Sequence, residues 1–169
     1  MDEKPYREIP LTQGKVALVD AEDFDFLNQW KWCVAKVGKG GYLYAVRASP
    51  KSENGVKKTT VRMHRVIMNA APDILVDHKK HNTLDNRKLN LRACNSQQNN
   101  SNTTPRNGCS SKYKGVSFDK ERKLWIAYIQ IKSKRKQLGR FSDEKQAAIC
   151  YNDNAKIHYG EFANLNVIE

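Results

Sequence analysis

The tightest constraint on the fold lies in one run near the C-terminus, "LWIAYIQI" (Leu124–Ile131). In an extended strand it puts Trp125, Ala127, Ile129 and Ile131 on one side and Leu124, Ile126, Tyr128 and Gln130 on the other. Downstream, Ser142 is the expected cap of a helix, with Asp143 and Glu144 in its first turn. Ala147, Ala148, Tyr151 and Ala155 then recur at helical spacing, and a stripe that small lets a helix lie close on the Trp125–Ile131 face. "YKGVSFD" (Tyr113–Asp119) and "KQLGRF" supply flanking strands, with "KERK" and "KSKRK" turning the chain between them. The expectation is a three-stranded antiparallel sheet packed on one helix, its other face open.

The charges divide along the same line. The net charge of +12 is uneven: residues 112–141 hold ten Lys and Arg against two Asp and Glu, whereas 142–169 hold two against five. The sheet carries the bases and the helix behind it the acids. A solvated surface needs charge but not this segregation, which fits a polyanion, most simply nucleic acid. A membrane fits less well, because no basic amphipathic helix and no apolar run of spanning length is present.

Upstream the chain reads as short elements of α+β type. "GKVALVD" (Gly14–Asp20) alternates like a strand, and Asp20 is placed to cap a helix over Ala21–Trp30. "KWCVAKV" and "YLYAVRA" flank the glycines of Gly38–Gly41 as a hairpin, "SENG" marks a second turn, and "KKTTVR" (Lys57–Arg62) follows as a strand. Trp30, Trp32, Tyr42 and Tyr44 read as core or sheet-face residues. "MHRVIMNA" (Met63–Ala70) is a short helix ended by Pro72, and "SNTTPRNGCSS" (Ser101–Ser111) reads as a linker. The expected division is a small α+β module over 1–60, a core over 61–100, the linker over 101–111 and a separate domain over 112–169. Four cysteines without a C-x-x-C pair argue against structural zinc and for free thiols, and the polar start "MDEKPYREIP" is unlike a signal peptide. An intracellular, cytoplasmic protein is expected.

The chemistry concentrates in "LVDHKKHNTLDNRKLNLRACNSQQNN" (Leu75–Asn100). "ILVDH" and "LNLRA" read as strands around a polar loop, and Asn95 as the N-cap of a following helix. Strand, loop, strand and helix would bring Asp77 and His78 towards Asn99. Cutting a phosphodiester needs a deprotonated water and neutralised charge on the leaving oxygen. A neutral imidazole supplies the first near pH 7, and a hard cation held by a carboxylate and an amide oxygen supplies the second.

Residues 63–100 resemble the HNH endonuclease family, in the amide-rich form of phage and intron-encoded enzymes. The matching pieces are "MHR" (63–65), "VDH" (76–78), "LDNR" (84–87), "NLR" (90–92) and Asn99. The resemblance implies a ββα-metal core in which His78 is the general base and Asp77 with Asn99 ligates one Mg²⁺ or Mn²⁺. Asn90 would complete the catalytic set by bracing the loop through backbone hydrogen bonds. An Asn rather than His at the last position suits Mg²⁺ better than zinc. His81 stands where relatives carry a glycine that eases a positive φ. Arg65, Arg87 and Arg92 are candidate phosphate contacts, each equally readable as an ion-pair residue. His64 reads as structural and His158 as a helix-end residue.

Residues 112–166 resemble the AP2 DNA-binding domain, through "YKGV" (113–116), "W-x-A-x-I" (125–129), "LGRF" (138–141), "A-A-x-x-Y" (147–151) and "ANLN" (163–166). This implies that Lys114, Tyr128, Gln130, Arg135, Gln137 and Arg140 face DNA. Ser117, Gln130 and Gln137 replace two arginines and a tryptophan of the plant version, so the plant target sequence does not carry over. Taken together the expectation is a metal-dependent, homing-type endonuclease of a phage or mobile element, acting at the host nucleoid and nicking as a monomer. The alternative is a non-cleaving DNA-binding transcriptional regulator.

Overall fold

A computed structural model of the protein describes residues 4–37, 41–49, 59–104 and 108–168. The fold is mixed α+β, with antiparallel strand pairing within its small sheets. The chain forms two compact units, Met1–Cys94 and Asn95–Glu169. The division falls between the Asp77–His78 stretch and the segment that carries Asn99.

In the first unit, β1 (Tyr6–Pro10) pairs with β2 (Val16–Asp20). The sequence reading assigns β1 no element. Ile9 is its one buried residue, so no two-residue period shows. α1 (Ala21–Leu27) follows β2 and buries Phe24 and Leu27. Asp20 stands at its N-cap position, but its side chain makes no capping bond; Oδ2 instead accepts from the backbone N–H of Lys88 at 2.8 Å. A tertiary partner has displaced the local one. α1 also stops three residues short of Trp30, where Trp32 turns inward and donates its indole N–H to the Leu27 carbonyl at 2.8 Å.

β3 (Cys33–Val37), β4 (Tyr42–Ala48) and β5 (Thr60–Arg62) form a sheet in that order. The expected "SENG" turn, residues 57 and 58 of the expected strand, and 38–40 of the hairpin turn lie outside the described residues. Val34 and Ala45 face the core with Ile9, Val19, Leu27 and Trp32. Alternation sends Tyr42, Tyr44 and Arg62 to the opposite face. α2 (Met63–Ile67) ends well before Pro72, as Asn69 takes φ +43°. β6 (Leu75–His78) and β7 (Leu91–Cys94) then pair around the loop that holds the candidate chemistry.

In the second unit, α3 (Ser96–Ser101) opens on a capping box. Gln98 N–H donates to the Asn95 side chain at 2.9 Å, and Asn95 N–H to the Gln98 side chain at 2.8 Å. β8 (Val116–Asp119), β9 (Leu124–Ile131) and β10 (Lys134–Phe141) form a three-stranded sheet with β9 central. α4 (Glu144–Tyr159) lies across one face: Ala147 and Ala148 pack with Ala127, and Tyr151 and Ala155 with Ile129. Its cap is Asp143, which accepts from Gln146 N–H at 2.8 Å, one residue beyond the expected Ser142. β8 begins three residues after Tyr113, because Gly115 adopts φ +73° and turns the chain beneath the Tyr151 ring.

Candidate active site

β6 delivers Asp77 and His78 at its end, and the pairing register sets Asp77 opposite Arg92 and His78 opposite Leu91. Both members of the Asp-His pair are buried. The loop from 79 to 90 folds back over them, and Asn90, fully buried, holds it together. Its Oδ1 accepts from Lys80 N–H at 2.9 Å, its Nδ2 donates to the carbonyls of Asp85 (2.8 Å) and Asn82 (3.3 Å), and its own carbonyl accepts from Lys79 N–H at 2.8 Å. An amide suits this position because one side chain supplies both an acceptor and two donors. His81, at φ +60°, occupies the left-handed conformation that a glycine takes at no steric cost.

Asn86, His64 and Tyr44 are among the groups against the His78 imidazole. Its Nε2 lies 3.2 Å from Asn86 Oδ1, and its ring meets those of His64 and Tyr44 edge-on at 5.0 and 5.9 Å between centroids. Burial pushes the His78 pKa down, against the opposing pull of Asn86, Asp77 and Asp85, so the neutral ring is the favoured form at neutral pH. His64 falls further, to about 3, chiefly from burial and then from His78, Arg62 and Arg65. Sequence reading assigns neither Tyr44 nor Asn86 to the site. Asn86 had a signal, its place in "LDNR"; Tyr44 had none beyond sheet alternation.

The three arginines expected on phosphate have intramolecular partners. Arg92 reaches Asp77 Oδ2 through Nε (2.9 Å) and Nη2 (2.8 Å). Arg87 forks onto Asp85 at 2.9 Å through both Nε and Nη2, and its bonds outweigh burial to hold the Asp85 carboxyl below its ordinary range. Arg65 donates to the carbonyls of Ile74 and Ala71, each at 2.6 Å, tying down the turn after α2.

In the second unit, register and alternation put Tyr128, Gln130, Arg135, Gln137 and Arg140 on the sheet face away from α4. The Arg135 guanidinium stacks 3.5 Å over the Tyr128 ring and reaches Ser117 Oγ at 3.3 Å, leaving a basic, amide-bearing face. Lys114, expected with them, is elsewhere. Its ammonium donates to the Ser101 and Thr103 carbonyls, clipping the end of α3 to this unit, and burial lowers its pKa to about 8. Lys114, Tyr128 and Gln130 also line a cavity of about 640 Å³ beside α3. Asn99 lies half-buried on α3, its N–H bonded to the Asn95 carbonyl at 2.9 Å.

The chain is 31% identical over 163 residues to an uncharacterized HNH endonuclease of Acanthamoeba polyphaga mimivirus, an alignment that covers 93% of this chain and 78% of the viral one. The chain belongs to the HNH endonuclease family. No family model matches it. HNH endonucleases generally use a divalent metal. Of the two expected donors, Asp77 carries a hard carboxylate whose Oδ2 already accepts from Arg92, and Asn99 carries an amide oxygen on α3 of the second unit. Among the described residues, one other acidic group, Asp20, Glu22 and Asp23, gathers its oxygens within 4.8 Å of one another. There the Lys88 ammonium already bonds Glu22 at 2.7 Å and Asp23 at 3.0 Å.

Proposed function

We propose that the protein is a metal-dependent DNA endonuclease that hydrolyses phosphodiester bonds through the Asp77–His78 site. The observation that carries this reading is the buried, neutral His78 at the end of β6, beside Asp77 and under a loop cross-braced by Asn90. His78 takes a proton from a water, the resulting hydroxide attacks phosphorus in line, and the bond to the leaving 3′ oxygen breaks. Protonation of that oxygen from solvent leaves a 3′ hydroxyl and a 5′ phosphate. Asp77 and Asn99 would hold one Mg²⁺ or Mn²⁺, which when bound neutralises charge on the leaving oxygen and the phosphate. Asn90 keeps the loop from sagging away from His78.

The sheet of the second unit is the proposed reader, AP2-like, with Tyr128, Gln130, Arg135, Gln137 and Arg140 towards double-stranded DNA. A three-stranded sheet fits the major groove, and a tethered reader raises the local concentration of DNA at the catalytic site. One catalytic centre per chain makes a nicking monomer the simplest enzyme. A homing-type role for a phage or mobile element, exercised in the host cytoplasm, follows from the same resemblance.

Supercoiled plasmid incubated with wild type and with His78→Ala, in Mg²⁺ and in EDTA, tests this reading. Mg²⁺-dependent nicking by the wild type, lost in the variant while DNA binding persists, is expected. The Asp77–Arg92 pair favours the alternative, a non-cleaving DNA-binding regulator, because a guanidinium already neutralises the carboxylate meant for the metal. Tight binding without cleavage in Mg²⁺, Mn²⁺ or any other divalent ion would establish that alternative instead.

A further inference from the structure

We infer that Asn86 is a positioning residue for His78, setting which ring nitrogen carries the proton, and that the N-terminal strand β2 holds Asn86 in place. The inference rests on the nuclease reading for its catalytic consequence, but its structural content stands on the contacts alone.

Asn86 is 1% exposed, and a buried amide is costly unless its polar atoms are bonded. Its Nδ2 donates to the Leu84 carbonyl at 3.3 Å, which identifies the atom facing the imidazole as oxygen. An amide oxygen only accepts, so the ring nitrogen 3.2 Å away must donate. The proton therefore sits on Nε2 and the ring's lone pair on Nδ1, the form in which Nδ1 is the basic atom. His64 and Tyr44 hold the ring edgewise and limit its rotation.

Asn86 is itself held from outside the ββα segment. Its N–H donates to the Leu18 carbonyl at 2.8 Å, and Leu18 N–H donates to the Leu84 carbonyl at 2.9 Å, so Leu18 and Asp85 form a parallel bridge. Two residues on, Lys88 N–H bonds Asp20 Oδ2 at 2.8 Å and its ammonium grips Glu22 and Asp23. The loop segment 84–88 is in effect an extra strand on β2. Residues 18–23 thus have a task that their own sequence does not suggest: they fix the height and tilt of the amide that orients the base.

The test pairs kinetics with nitrogen spectroscopy of the full chain. In ¹⁵N-labelled wild type, the two-bond ¹H–¹⁵N pattern of His78, assigned by its loss in His78→Gln, should be that of a ring protonated at Nε2. Asn86→Leu should give a mixture of tautomers and lower kcat by roughly 10- to 100-fold, the range for orienting partners of functional histidines, with KM for DNA unchanged. Asn86→Asp keeps the shape and the acceptor, so it should retain the Nε2-protonated pattern whether or not Asn86→Leu folds, and recover kcat relative to Asn86→Leu. An unchanged tautomer in Asn86→Leu, or an Nδ1-protonated ring in Asn86→Asp, overturns the inference whatever the activities. Should the wild type fail to cleave DNA while the tautomer follows residue 86 as described, the nuclease reading falls and the assignment of Asn86 stands.

Discussion

Replacing Arg92 by leucine should destabilise the first unit far more than it weakens DNA binding. Two guanidinium bonds fall on one Asp77 oxygen, at 2.9 and 2.8 Å, across directly paired positions of β6 and β7. The two side chains are 10% and 9% exposed. An exposed pair contributes at most about 1 kcal/mol, whereas removing one partner of a buried pair costs about 3–5 kcal/mol because the other charge is stranded. The residual exposure puts Arg92→Leu near the lower end, about 3 kcal/mol. For a domain of this size each kcal/mol moves Tm by about 4–8 °C, so the unit should melt roughly 12–24 °C lower. Asp77→Asn in the same chain removes the stranded charge and should restore at least half of the loss. A global melt mixes the two units, so the readout is hydrogen exchange of peptides from 59–94. If Arg92→Leu lowers the opening free energy of β6 and β7 by less than about 1 kcal/mol while DNA affinity drops tenfold, the buried-pair reasoning is wrong and Arg92 is a phosphate contact.

Gly115→Ala should destabilise the second unit by about 2–5 kcal/mol, combining the left-handed penalty with overpacking: its φ is +73°, and the added Cβ would overlap the Tyr151 ring and lie 2.7 Å from the Tyr128 carbonyl. Retention of the wild-type urea midpoint would contradict that packing. His64 has a folded pKa of about 3, below its unfolded value, so the stability it confers when neutral is complete above about pH 6.5 and is lost as pH falls towards 3. Urea midpoints taken from pH 7 to 4 should therefore decline less steeply in His64→Phe than in wild type. His81→Gly should gain about 0.5–1 kcal/mol by relieving the left-handed φ of +60°, read as a higher melting temperature. Arg140→Ala, on the open sheet face, should weaken DNA binding and reduce the salt slope of log K by about 1, measured by fluorescence anisotropy at several salt concentrations.

Elements with a clear period were legible from local residues alone. The alternation of Leu124–Ile131 and the alanine stripe of α4 predict a covered and an open sheet face, and the packed residues are those the periods name. The Asn95 cap was legible too, because a capping box is a contact within four residues. β1 was not, since its burial is on one residue only, and the Asp20 side chain does not cap α1 because a donor far away in sequence, the Lys88 N–H, takes its carboxylate.

The sequence by itself determined the strands and helices with strong periodicity, the Asp77–His78 pair and its amide-rich surroundings, and the segregation of charge onto the C-terminal sheet. Only the tertiary structure decided which partners those side chains take. Arg65, Arg87 and Arg92 turn inward, Lys114 clips α3, and His78 is met by Tyr44, His64 and Asn86. The physical reason is range. Periodicity and capping act within a few residues, whereas the bond that seats the 79–90 loop on β2 spans 68 positions.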